Sequence, residues 1–316
     1  MFNSSPGINI DNSDILTEFY EKMRTHQEKK KYGEFYTPLS VVKYILDGVG
    51  YNSNSEIDTK KLIDISCGSG SFIIQAIREL IKSSLKIYNK KRVSDLTIEE
   101  AKNLISIVDR NISGIDINPV SCILCQINIY FTLFEILKLI TSFEPDYCLP
   151  WFNIKNFNAL LMSRDKTYDF VVGNPPYLFI RDIPSDHRSI IETYRFETNE
   201  GQYDYYQIFI ELGIKILKQG GKLGYIVPDS LLALSNRSIL RKFIYNKTKI
   251  REIYYIGPKF SEPIVSNIII ILEKEDKISE RKNNLIKLKY ANQLEKILLQ
   301  NNIENWDYKF LIHLSA

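Results

Sequence analysis

Apolar residues fall into two rhythms along the chain. Short, almost uninterrupted apolar runs, "KLIDIS", "ISGID", "YDFVVG" and "GKLGYIVP", read as strands buried on both faces. Between them, apolar positions return at helical spacing. The spacing predicts helices over Ser71 to Lys82, from Thr97 onward with Glu100 completing a capping box, over Tyr203 to Lys218, and over Ser230 to Tyr245. A charged, partly amphipathic helix is predicted over Asp14 to Lys30, and another opens with Thr37 as N-cap and Pro38 at the first helical position. "IREIYYIG" and "VSNIIIILE" read as two closing strands. Such alternation predicts an α/β domain with a mostly parallel sheet and helices on both faces. Ligands bind such sheets beyond the C-terminal ends of the strands, and every chemically suggestive motif in this chain falls at such an end.

One segment departs from the alternation. Val120 to Ile140 is apolar for almost the length of a bilayer. It carries Gln126, Asn128, Glu135 and Lys138, so a helix buried in a large domain is the expected reading. The N-terminus is polar, with neither a basic start nor an apolar core, which points to a cytoplasmic protein with no membrane partner. With 316 residues, 44% of them hydrophobic and 25% charged, the chain can bury a sizeable core; a disulfide-stapled miniature and a disordered chain are excluded. A net charge of +3 permits a nucleic-acid partner without requiring one. Cys122 and Cys125 imitate a CxxC pair, but no second pair or histidine cluster completes a metal site, and two reduced thiols on a helix are expected.

Three strand ends carry candidate chemistry. In "LIDISCGSGSF" a strand enters a turn with Gly68 and Gly70 and then a helix, so a ligand can approach the backbone closely. No third glycine and no Lys-Ser/Thr follows, which argues against a phosphate cradle. Asp64, near the turn, would repel a phosphate and accept from an ammonium group. In "GIDINP", Asp116 ends the next strand, placed either to accept from two ribose hydroxyls or simply to cap a helix before Pro119. A dinucleotide site would space this acid roughly 20 residues after the glycines, whereas an extra helical segment, about Ile87 to Val108, intervenes here. The third end is "GNPPY". Pro175 and Pro176 have no N–H, so the Asn174 side-chain oxygen and the Pro175 carbonyl can accept from both N–H bonds of a planar amine. Tyr177 then offers a face for a heterocycle. The plain alternative is a strand ended by a rigid turn with a packed tyrosine.

Taken together, "GEFYTP", "DISCGSGSF", "GIDINP", "GNPPY" and "GGKLGYIVPDS", in this order from Gly33 onward, resemble the gamma-class (TaqI-like) S-adenosylmethionine-dependent N6-adenine DNA methyltransferases of restriction-modification systems. The resemblance runs to about Glu273 and implies a Rossmann-like methyltransferase fold with a mixed, mostly parallel, seven-stranded sheet. It implies that Tyr36, Thr37, Ser66, Cys67, Gly68 and Gly70 hold the methionine end of S-adenosylmethionine, and that Asp64 faces its amino group. Asp116 would take the ribose and Asn158 would face the adenine, with Ile117 and Ala159 also in the cofactor site. Asn158 occupies a place where an acid usually accepts from the adenine amine, and its amide oxygen keeps that capacity. Asn174, Pro175, Pro176 and Tyr177 would form the catalytic turn, and Phe260 a second aromatic against the target base, with core packing as its alternative.

Direct methyl transfer to adenine N6 is then expected, without a covalent enzyme intermediate or a general base, on a base flipped out of double-stranded DNA. The resemblance divides the chain into an N-terminal helical segment (1–32), a catalytic domain (33–275) and a C-terminal extension (276–316). Gamma-class enzymes usually carry a target-recognition domain after the catalytic one, so either a separate specificity subunit or a missing segment is expected to read the DNA sequence. Rival readings are a protein-glutamine methyltransferase, which uses a similar NPPY turn, an RNA base methyltransferase, and a catalytically idle fold serving as a binding subunit.

Overall fold

A computed structural model of the chain describes residues 37–165, 167–258, 266–290 and 295–300. Its strands are β1 (Leu62–Asp64), β2 (Ile112–Asp116), β3 (Ile154–Asn156), β4 (Tyr168–Gly173), β5 (Leu217–Pro228), β6 (Thr248–Pro258), β7 (Ser266–Lys274), β8 (Leu285–Tyr290) and β9 (Glu295–Leu299). They form one sheet in the order β3-β2-β1-β4-β5-β7-β6-β8-β9. The seven strands expected are thus nine among the described residues: β8 pairs parallel with β6, and β9 pairs antiparallel with β8. The first five strands are mutually parallel, and β7 is antiparallel to both β5 and β6, so the sheet is mixed.

Helices flank this sheet: α1 (Leu39–Val49), α2 (Ser71–Ile87), α3 (Ile98–Asn111), α4 (Pro119–Thr132), α5 (Phe134–Phe143), α6 (Ser185–Thr193), α7 (Tyr205–Ile216), α8 (Ser230–Ala233), α9 (Ser238–Lys247) and α10 (Ile278–Lys282). Side chains alternate along each strand, so neighbours feed opposite cores. Leu62 and Val172 join α1 to α5 on one face, whereas Ile63 and Val171 join α7 and α9 on the other. Burial on both faces explains the continuous apolar runs. The amphipathic pattern of α1 buries Val41, Val42, Ile45, Leu46 and Val49 against the sheet, and Gly224 of β5 lets it approach: a Cβ there would lie 2.7 Å from both Ile45 and Val49.

Several helix boundaries differ from expectation, each for a local reason. Thr37 does not cap α1; the helix starts one residue later, because Pro38 has ψ of 140° and the Thr37 hydroxyl is engaged elsewhere. The apolar segment expected as one buried helix is two, α4 and α5, bent by 66°. Thr132 Oγ1 donates back to the Asn128 carbonyl at 2.8 Å, a contact that bends helices, and Leu133 leaves helical geometry with ψ of 2°. Burial is one-sided: Ile129, Leu133, Ile136 and Ile140 enter the core, while Ile123, Ile127, Phe131 and Phe134 stay exposed. Among the described residues no single helix is long and apolar enough to cross a membrane. The helix expected over Ser230 to Tyr245 is interrupted between α8 and α9 by a 3-10 turn at Ser235–Arg237, where Arg237 turns inward to Asp204. The helix expected over Tyr203 to Lys218 is trimmed to α7, whose first turn is set by Gln207 Oε1 accepting from the Asp204 amide at 2.9 Å.

Candidate active site

Strand β1 lies between β2 and β4, so the turns leaving these three parallel strands open side by side. Leaving β1, the chain buries Asp64, whose Oδ1 accepts from the Ser66 amide at 2.9 Å. Gly70 opens α2 at φ of 99°, and a Cβ there would come within 2.6 Å of Cys125 Sγ. Both the conformation and the space therefore require glycine. Asn128 Nδ2 donates to the Ser69 carbonyl at 3.0 Å, fixing the turn to α4. The apparent CxxC thus packs the turn. A hydrogen bond with Cys125, together with burial, holds the Cys67 thiol well above its ordinary range, and burial pushes Cys122 up to about 12.

Leaving β2, Asp116 reaches across to the first turn. Its Oδ2 accepts from the Gly68 amide and its Oδ1 from the Asn118 amide, both at 2.8 Å. The cap of α4 is Asn118, whose Oδ1 accepts from Val120 at 3.0 Å, so Asp116 is not the helix cap. Asn156, missed in the sequence, donates from Nδ2 to the carbonyls of Asp116 at 3.1 Å and Ile117 at 2.8 Å. Asn158 caps a short 3-10 turn, its Oδ1 accepting from Leu160 at 3.0 Å.

The third turn, after β4, is pinned to the other two. Gly173 has φ of 153°, and a Cβ there would sit 2.6 Å from Asp64 Oδ1, so the glycine leaves the carboxylate its room. Ser66 Oγ donates to the Asn174 carbonyl at 3.3 Å. Asn174 Nδ2 donates to Thr37 Oγ1 at 3.1 Å, which orients the amide and explains why Thr37 does not cap α1. Tyr177 turns its hydroxyl to the Ile226 carbonyl at 3.0 Å and packs its ring edge-on against Tyr206.

A cavity of about 240 Å³ lies over these turns. Thr37, Asp64, Ser66, Cys67 and Gly68 line one side of it, Asp116, Ile117, Asn158 and Ala159 another, and Asn174 and Pro176 a third. Gly70, Pro175 and Tyr177 support the turns from outside the lining. Tyr36 and Phe260 lie outside the described residues. The far wall went unread in the sequence: Pro184, Asp186 and His187 from the start of α6, and Tyr205 and Phe209 from α7. Nothing in "IPSDHRS" marks it locally, because a fold contact brings α6 over the 3-10 turn after Asn158. Electrostatically the cavity is acidic. Asp64, Asp116 and Asp186 line it, and among the described residues no lysine or arginine does. Burial, with Asp116 adding, pushes Asp64 up to about 8. A cationic group beside this carboxyl would draw it back to its ionised form.

Comparison with known proteins finds relatives among the restriction-modification methylases. Residues 110–260 match the Eco57I restriction-modification methylase family. The chain is 27% identical over 325 residues to the type II restriction enzyme and methyltransferase RM.Eco57I of Escherichia coli, covering 86% of this chain and 32% of that protein. It is 30% identical over 237 residues to the type II methyltransferase M.BstVI of Geobacillus stearothermophilus, covering 73% of this chain and 39% of that protein. The chain is a homologue of the restriction-modification methylases. It spans about a third of the length of the curated relatives it matches. Among solved structures, a class I S-adenosylmethionine-dependent methyltransferase of Listeria monocytogenes aligns over 95% of this chain and 81% of its own at 18% identity and TM-score 0.57. The EcoKI M protein of a type I restriction enzyme aligns over 82% of this chain and 49% of its own at 17% identity and TM-score 0.54. The restriction-modification homologue therefore has the fold of the S-adenosylmethionine-dependent methyltransferases.

Proposed function

We propose that this chain is the catalytic part of a restriction-modification DNA methyltransferase that transfers a methyl group from S-adenosylmethionine to adenine N6. The observation that carries the reading is the Asn174 turn, fastened through Ser66 and Thr37 to the floor of an acidic cavity that contains the buried Asp64. The site fits the cofactor chemically: Asp64 suits its ammonium group, Gly68 and Gly70 suit close approach of its methionine end, and Asp116 suits the ribose hydroxyls. The bound cofactor supplies a methyl group on a sulfonium, already activated for direct transfer.

What remains for the protein is orientation. Thr37 holds the nitrogen end of the Asn174 amide, so the orientation of that amide is set before the target arrives. The Asn174 oxygen and the Pro175 carbonyl then accept from the two N–H bonds of the amine and hold its lone pair toward the methyl group. Reaching the site requires the adenine to leave the DNA stack, at a cost of a few kcal/mol, with Tyr177 and Phe260 receiving the ring. In this reading residues 33–275 form the catalytic domain, 1–32 and 276–316 flank it, and the protein works in the cytoplasm. DNA sequence recognition is assigned to a separate specificity subunit or a further domain. The greater length of the relatives and the likeness in fold to the M protein of a type I restriction enzyme support that division.

The test replaces Asn174 by Ala. S-adenosylmethionine binding is expected to stay near that of the unaltered chain, while N6-methyladenine formation on genomic DNA falls at least a hundredfold, read by nucleoside mass spectrometry. Full activity of Asn174→Ala would overturn the role of the turn. Methylation of glutamine peptides or RNA in place of DNA would move the substrate assignment.

A further inference from the structure

The wall contributed by α6 holds polar groups that the proposed chemistry leaves unused. His187 is 8% exposed, and its Nδ1 lies 2.7 Å from the Tyr205 hydroxyl. Burial raises the Tyr205 phenol and lowers the His187 imidazole, so both groups are neutral and either can donate across this contact. In the tautomer with its hydrogen on Nε2, the nitrogen that faces the Asp186 carboxylate, the phenol donates to Nδ1. Asp186 Oδ2 lies 3.8 Å from that Nε2. A hydrogen-bond acceptor and a donor thus stand side by side on the cavity wall. Of the other cavity acids, Asp64 and Asp116 already hold the backbone amides of Ser66, Gly68 and Asn118. The Asn158 oxygen is aimed at its own Leu160 amide.

An adenine ring presents the complementary pair, an amino donor beside a ring-nitrogen acceptor. We propose that Asp186 and His187 bind the adenine edge of the cofactor, Asp186 accepting from its 6-amino group and His187 Nε2–H donating to the adjacent ring nitrogen. This rests on the methyltransferase reading and adds to it a role for α6 in choosing the cofactor base. A hypoxanthine ring reverses both groups, setting a carbonyl against the carboxylate and an N–H against the imidazole N–H. The pair therefore rejects it as well as favouring adenine.

Calorimetry on the full chain with S-adenosylhomocysteine and S-inosylhomocysteine tests this. The unaltered chain is expected to bind the adenosyl compound at least a hundredfold more tightly. Asp186→Ala is expected to lose about tenfold in adenosyl affinity, the scale of one charge-assisted hydrogen bond, with inosyl affinity unchanged or improved. Asp186→Asn should fall between. The Asp186 side chain is 75% exposed, so folding survives and the melting temperature serves as control. Equal loss for both ligands, or an unchanged ratio, would overturn the proposal while leaving the methyltransferase reading standing. Absence of S-adenosylhomocysteine binding by the unaltered chain would overturn that reading and this proposal with it.

Discussion

Asp64 concentrates the electrostatics of the site in one side chain. Folded, its carboxyl titrates at about 8; unfolded, an aspartate titrates at about 3.9. Between these values the folded chain keeps a proton that the unfolded chain has released, so stability falls as pH rises. The contribution of the neutral carboxyl is whole below about pH 4 and lost as pH passes about 8. Asp64→Asn is therefore expected to melt like the unaltered chain at pH 4 and progressively higher than it toward pH 8 to 9. The same variant should lose about 2 kcal/mol or more of cofactor affinity, as when one partner of a buried charge pair is removed. Melting scans across pH with and without S-adenosylhomocysteine check both. Asp64 was legible as a candidate from its place before a glycine turn. Its perturbation was not, because the cause is burial beneath Gly173 and proximity to Asp116, residues distant in sequence.

At the scale of elements, the far wall of the cavity depends on how α7 is entered. Asp204, just before α7, forms a buried ion pair with Arg237, and Arg237 also donates to the Gln202 carbonyl at 3.0 Å and to the Tyr206 hydroxyl at 3.3 Å. This knot interrupts the helix expected over Ser230 to Tyr245 and holds Tyr205 where it meets His187. Arg237→Met leaves Asp204 buried without its cation, a change that costs about 3 to 5 kcal/mol. The expected result is a matching fall in unfolding free energy by urea titration, with weaker cofactor binding even where the protein remains folded. Helical periodicity gave the correct element type throughout this region. It failed at the breaks, at Leu133 and between α8 and α9, because each is imposed by a hydrogen bond or ion pair that periodicity does not encode.

For the whole molecule, the sheet continues past the seven strands of the expected fold. Asn284 Nδ2 donates to the Ile250 carbonyl at 2.7 Å, and Gln300 Nε2 to the Thr248 carbonyl at 2.8 Å, clamping β8 and β9 to the start of β6. Ile286 and Leu288 are buried beneath them. A chain ended after Glu275 would leave the β6 edge open, a template for pairing with other chains. Such a chain is expected to melt several degrees lower and to scatter light on warming, measured by differential scanning fluorimetry with static light scattering. The cleft at the β1-β2-β4 side of the sheet, proposed above to take the cofactor, should keep its affinity for S-adenosylhomocysteine in whatever fraction stays monomeric.

By itself the sequence determined the class of the fold and which residues stand at its turns. Apolar runs and helical spacing are local consequences of burial, and glycines, prolines and an asparagine at strand ends constrain the backbone where they stand. The α/β alternation, Asp64, Asp116 and the Asn174 turn were therefore all visible. Tertiary structure decided what distance in sequence conceals. It made nine strands of seven among the described residues, because β8 pairs with the free edge of β6 and β9 with β8. It turned Asp116 from a possible cap into the clasp of the Gly68 turn, and Thr37 from a helix cap into the partner of Asn174. It also brought α6 over the cleft, placing Asp186 and His187 beside residues with which they share no motif. Each of these depends on which surfaces pack together, and packing between remote segments leaves no periodic trace in the chain.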